Sequence, residues 1–149
     1  MKSYRFRLET LRRMRSVHRD QQRVALADAY RAEQILAERR DAVRAEQAEL
    51  RKLKQAAVGG RYMDISQLLE AQRYESVLKS REDQLKAQAA RLAIETERRR
   101  LAVVEADRAV RVLDLLDERK RREHQKHQQR WDIKELDEVA MTRQSRRLA

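Results

Sequence analysis

The sequence predicts an all-α fold: an antiparallel two-helix coiled-coil hairpin whose second helix is the longer. Three observations predict it. The 149 residues contain no proline and only two glycines, Gly59 and Gly60, which stand side by side. Charged residues make up 41% and aromatic residues 4%, too little apolar bulk for a thick core. Ala, Arg, Glu, Gln, Leu and Lys dominate instead, and these are strong helix formers. Leu78, Leu85 and Leu92 also keep a strict seven-residue step, the repeat that holds one helix face against a partner.

The first helix is expected over about residues 3–58, with Ser3 as its N-cap. Its apolar stripe runs Leu8, Leu11, Ala25, Ala29, Ala32, Leu36, Val43, Leu50 and Leu53 in steps of three and four. Beats are missed at Arg15, His18, Gln22, Arg39 and Glu46. Arg15, Gln22, Arg39 and Glu46 either face solvent or leave the seam adjustable, whereas His18 is expected on the seam as a buried or snorkelling side chain. The turn is expected over 59–63, with Gly59 suited to a left-handed cap just past the helix. The second helix is expected over about 64–144. Asp64 is its candidate N-cap, Gln67 stands three residues on as in a capping box, and Met63 with Leu68 could form a hydrophobic staple. Its stripe runs Ala71, Leu78, Leu85, Ala89, Leu92, Val103, Ala106, Val110 and Leu113.

A turn centred near residue 61 makes antiparallel partners sum to about 122. Leu53 is then expected near Leu69, Leu36 near Leu85, Ala29 near Leu92, and Leu8 and Leu11 near Leu113 and Val110. A first helix of about 55 residues would be roughly 80 Å long. Residues past about 121 would have no partner helix, and a basic overhang is expected from about 118. The stretch from Glu118 to Arg130 contains no apolar residue, and Trp131, Ile133, Leu136, Val139 and Ala140 follow it. Ile133, Leu136 and Ala140 share a helical face, with Trp131 roughly opposite. An amphipathic segment with no intramolecular partner is a candidate docking site.

The net charge of +11 is unevenly distributed. Residues 1–19 hold seven basic side chains against Glu9 alone, and residues 118–149 hold ten against six acidic ones. Residues 59–117 are neutral. Folding back at the glycine pair brings the two basic segments together, a field suited to an acidic partner.

The same residues argue against chemistry. No cysteine is present, so disulfides and thiolate metal sites are excluded and a reducing compartment is compatible. No stretch approaches the roughly 20 apolar residues that span a bilayer, and the N-terminus has no apolar signal core. We expect a soluble intracellular protein. His124 and His127 lie three apart after Glu123, but no further ligand cluster completes a tetrahedral site, so a solvated polar helix is expected there. Pairs such as Glu82–Asp83 and Asp137–Glu138 point apart on a helix and share no site. There is no phosphate-cradling loop, nucleophile elbow or zinc spacing. We expect no enzyme, no cofactor and no small-molecule substrate. The basic segments, with Tyr4, Phe6 and Trp131 for stacking, fit nucleic acid in charge. No recognised nucleic-acid motif accompanies them, and a protein partner is the preferred reading.

The run Phe6-Arg7-Leu8-Glu9-Thr10-Leu11-Arg12-Arg13-Met14-Arg15 resembles the opening of the FliJ family of flagellar export proteins, an arginine-rich Phe-x-Leu-x-x-Leu helix. Leu136-Asp137-Glu138-Val139-Ala140, with Arg143 after it, resembles that family's Leu-Asp-Glu-x-Ala segment. A glycine-bearing turn, then Ile65–Leu78 with Tyr74, lies between them in matching order. The resemblance implies an antiparallel two-helix coiled coil similar to the central stalk of rotary ATPases. It implies a non-enzymatic protein, cytoplasmic and peripheral at the inner face of the cell membrane, in the flagellar type III export apparatus. The implied partners are the flagellar export ATPase ring, which it would bind and activate, the cytoplasmic domain of the export gate, and export chaperones. On the matching positions, ATPase contact falls to Phe6, Leu8, Leu11, Arg12, Arg13, Arg15, Leu136, Asp137, Glu138 and Arg143, and gate contact to Leu69, Tyr74 and Leu78. The alternatives are the equivalent stalk of a virulence-type secretion system and a nucleic-acid-binding coiled coil.

Overall fold

The computed structural model describes residues 3–60, 62 and 64–148, with side chains through Gln144. Two helices account for nearly all of them: α1, Glu9–Gly59, and α2, Ile65–Leu148. The fold is an all-α antiparallel coiled-coil hairpin with the longer helix second, as expected, and the described residues contain no strand.

The beginning of α1 differs from expectation. The helix opens at Glu9, not near Ser3, after a turn in which the Glu9 N–H donates to the Phe6 carbonyl at 3.4 Å and the Arg12 N–H to the Leu8 carbonyl at 2.9 Å. From Ser3 to Arg7 exposed and half-buried residues alternate, with Tyr4 and Phe6 turned inward. Residues two apart sit on opposite sides of a helix but on the same side of an extended chain. Burying both rings therefore requires an extended strap. Glu9 in the first turn suits the positive end of the helix dipole.

The α1 terminus also corrects an expectation. Helix α1 runs through Gly59, and neither glycine has a positive φ, so no left-handed cap forms. A Cβ added at Gly59 would meet nothing within 4 Å, and one at Gly60 would meet only ordinary contacts. The glycines weaken the helix through their backbone freedom instead. Asp64 does cap α2: the Gln67 N–H donates to its Oδ1 at 3.3 Å, and the Leu68 N–H to its carbonyl at 3.2 Å. The proposed staple involves Met63, which lies outside the described residues.

Packing divides the chain into two compact units, Met1–Asp20 with Val104–Ala149, and Gln21–Val103. In the Gln21–Val103 unit the core is Val43, Leu50 and Leu78, with Ala71 and Leu85 packed against it. Ala29, Leu36, Val43, Leu50 and Ala57 hold one seven-residue repeat of the α1 seam. A second repeat, Leu26, Glu33, Arg40, Gln47 and Lys54, is half-buried and mostly polar. Cross-helix bonds join Gln47 to Glu82 at 3.1 Å, Tyr74 to Glu46 at 2.7 Å and the Arg99 guanidinium to the Ala25 carbonyl at 2.7 Å, and Lys54 pairs with Glu75. Partners lie on average a few residues further along α2 than the sequence count gave. Leu53 and Leu69, the expected pair nearest the turn, are both exposed, and Leu50 and Lys54 hold the seam there.

In the other unit Ala106, Val110, Leu113 and Asp117 are buried on α2. The α1 side of that seam is Arg12, Ser16 and Arg19, all half-buried, while Leu8 and Leu11 lie beside it and stay 38% exposed. His18 is exposed, contrary to expectation, because the half-buried positions fall at Ser16 and Arg19 on either side of it. Long arginine stems cover apolar surface as well as a leucine can, while their heads reach carboxylates.

Candidate partner-binding surface

Asp117 organises the unit that carries both chain termini. It is 5% exposed, a buried carboxylate that needs partners. It has three. The Tyr4 hydroxyl donates to Oδ1 at 2.8 Å, Arg12 donates to Oδ2 at 3.0 Å, and Arg121 reaches Oδ2 from one turn along at 3.3 Å. Arg12 also meets Glu9 at 2.6 Å and Asp114 at 3.8 Å. These contacts raise the Arg12 pKa, the Glu9 hydrogen bond first among them. The Tyr4 ring packs tilted against His124, with centroids 5.6 Å apart, and lies under the Arg121 guanidinium; Phe6 lies under Arg12. Partial loss of water, and after it the Asp117 carboxylate, push the Tyr4 hydroxyl pKa up, so it stays a donor.

The same unit carries cations with no intramolecular partner among the described residues: Arg5, Arg7, Arg13 and Arg15 before and early in α1, and Lys126, Arg130, Lys134 and Arg143 further along α2. Past Gln128 every described side chain of α2 is exposed through Gln144. Trp131 is 62% and Leu136 69% exposed, values far above those of a seam residue, and Ile133 and Val139 are exposed beside them. The helix thus continues through the overhang and carries apolar side chains that no described residue of this chain covers.

The structure sorts the sequence-derived site residues. Arg13, Arg15, Leu136, Asp137, Glu138 and Arg143 are exposed and open to a partner. Phe6 is half-buried, Leu8 and Leu11 are each 38% exposed, and Arg12 is committed to Asp117, Glu9 and Asp114. Asp117 was missed, and Tyr4, singled out only for stacking, instead bonds to Asp117. The usable signal was an aspartate continuing the Val103, Val110 seven-residue step, and aromatic residues alternating at Tyr4 and Phe6.

Near the turn, Leu69 is exposed and Tyr74 is bound through its hydroxyl to Glu46, a bond that heads the causes raising its pKa. Leu78 is fully buried between the helices and presents no surface, so it supports the face that Leu69 and Tyr74 offer. Beside Tyr74 is a cleft of about 410 Å³ lined by Leu50, Ala57, Leu68 and Ala71. Among the described residues no helix is long and apolar enough to cross a membrane, and no cluster of three or more His, Cys, Asp or Glu could hold a metal.

Comparison with protein families gives a match to the family described as Flagellar FliJ protein over residues 4–149. No curated protein and no solved structure matches the chain.

Proposed function

The chain belongs to the FliJ family, and from that premise we propose that it binds and activates the ring-shaped flagellar export ATPase through the unit that carries both termini. The observation that carries this reading is the joint presence there of unpaired arginines and an uncovered apolar helix face. Arg13 and Arg15 supply charge attraction, and Leu136 and Val139 supply apolar area. Exposed cations steer an acidic partner, and buried apolar anchors then hold it. Leu69 and Tyr74 are the proposed contact with the export gate, and export chaperones are further partners. The role is non-enzymatic, at the cytoplasmic face of the membrane.

The test is ATP turnover by the purified export ATPase with and without the full chain. Turnover should rise on addition, and Arg13→Glu with Arg15→Glu should remove the rise without changing helix content. Arg12 is left in place, because changing it would disturb the Asp117 node. Unchanged turnover on adding the unmodified chain overturns the activation reading. Deletion in the source cell should abolish swimming, which separates a flagellar role from that of a virulence-type system.

A further inference from the structure

We infer that the cleft between the N-terminal strap and α2 seats a short acidic segment of a partner protein, anchored by one large apolar side chain. The inference rests on the partner reading above and adds the chemistry of what is bound. The cleft has a volume of about 360 Å³ and is walled chiefly by Tyr4, Phe6, Leu8 and Leu116. That is near the lower end of ligand-sized pockets, roughly 300–1,000 Å³. It accommodates one bulky side chain with a little adjoining backbone.

Charge selects the occupant. The alternation that turns Tyr4 and Phe6 inward turns Arg5 and Arg7 outward, and both line the cleft without an ion pair among the described residues. Lys120 lines it from α2, and its ammonium uses one of three donors on Glu123. Among the described residues no carboxylate lines this cleft. The neighbouring cleft in the same unit mixes Arg19, Arg108 and Arg111 with Asp107 and Asp114, so its charges offset one another. An apolar cavity whose charged lining residues, Arg5, Arg7 and Lys120, are all cations fits an acidic peptide with an apolar anchor.

Nucleic acid fits less well. Base stacking needs a free ring face, but Tyr4 lies against His124 and under Arg121, and Phe6 lies under Arg12. The same contacts fix the strap before anything binds, with the Tyr4 hydroxyl held at 2.8 Å from Asp117. A preformed site loses little entropy on binding.

The test is fluorescence anisotropy with the full chain and a labelled peptide carrying one phenylalanine between two short glutamate blocks. Saturable binding is expected. Replacing the peptide's phenylalanine by alanine should weaken it about tenfold or more, as should Leu116→Gln in the protein, since each change removes apolar contact inside the cleft. Arg5→Glu with Arg7→Glu lies in the non-helical strap, so helix content should stay unchanged while binding is lost. Absence of binding, equal affinity for the alanine peptide, or full binding by the Arg5→Glu, Arg7→Glu variant overturns the inference. So does displacement of the peptide by a single-stranded oligonucleotide that binds more tightly. The assay contains no ATPase, so its failure leaves the ATPase reading intact. Loss of stimulation on changing Arg13 and Arg15 likewise leaves the cleft unaffected.

Discussion

Substitution of Leu78 by alanine tests the seam directly. Leu78 is 0% exposed and packs with Val43, Leu50, Ala71 and Leu85. The change removes three carbon groups, about 2.4 kcal/mol of transfer free energy at about 0.8 per group, plus the cost of the cavity left behind. Buried leucine-to-alanine changes cost about 2.7–5.0 kcal/mol. A seam between only two helices can close over a gap from its open sides, so the lower part of that range applies, about 3 kcal/mol. For a chain of this length that lowers the thermal midpoint by roughly 6–12 °C. Leu53 supplies the control: the sequence placed it on the seam, but it is 65% exposed. Leu53→Ala should cost less than about 0.5 kcal/mol. Thermal unfolding followed by far-UV circular dichroism reads both. Equal shifts for the two variants, or a larger one for Leu53→Ala, would refute the register described here.

Three further outcomes are expected. Gly59→Ala should raise the thermal midpoint, by about 0.5–1 kcal/mol of stability, because its Cβ meets open space and its φ is negative; a clear loss of stability would contradict this backbone. Tyr4→Phe removes the strap's hydroxyl bond to Asp117, so limited trypsin digestion should cut after Arg5 and Arg7 faster than in the parent chain, with α1 cleavage unchanged; identical kinetics would mean the bond does not hold the strap. Hydrogen bonds from Arg98 and then Arg99 hold Glu95 down to a pKa of about 2 against an ordinary 4.5. A carboxylate depressed on folding contributes fully above its unfolded value and loses that contribution as pH falls through the folded one. The Glu95 contribution should therefore fade between about pH 4.5 and about pH 2, and an NMR titration of its carboxyl carbon with a midpoint near 4.5 would be incompatible with those bonds.

Helix α2 was largely legible in the sequence. All nine residues of its apolar stripe, from Ala71 to Leu113, are buried or half-buried, and Asp64 caps its start. Helix α1 was less so, for a physical reason. Half of its seam consists of polar side chains, among them Arg12, Arg19 and Lys54, whose aliphatic stems pack while their heads reach across. An apolar alphabet passes over them and selects Leu11 and Leu53, the residues immediately before Arg12 and Lys54. The strap was hidden because Ser3 and the helically spaced Leu8 and Leu11 after it imitate a capped helix, while the alternation at Tyr4 and Phe6 spans too few residues to outweigh that pattern. The exposed Leu136-to-Arg143 segment was readable, since apolar residues on one helical face follow a stretch, Glu118 to Arg130, that has none.

The polar half of the seam has one more consequence. Its α1 members include the cations Arg12, Arg19, Arg40 and Lys54, and the α2 side of the seam includes the acids Glu75, Glu82 and Asp117. Two copies of α1 brought face to face in parallel would set like charges opposite one another, so each helix discriminates against its own kind. The same lettering does not distinguish one molecule's α1 from another's. What keeps the partnership within a single chain is the short tether at Gly59 and Gly60, which holds the two helices at a mutual concentration on the order of millimolar. A longer or stiffer connection would leave the pairing rules intact and change only whose helix obeys them, turning hairpins into exchanged dimers.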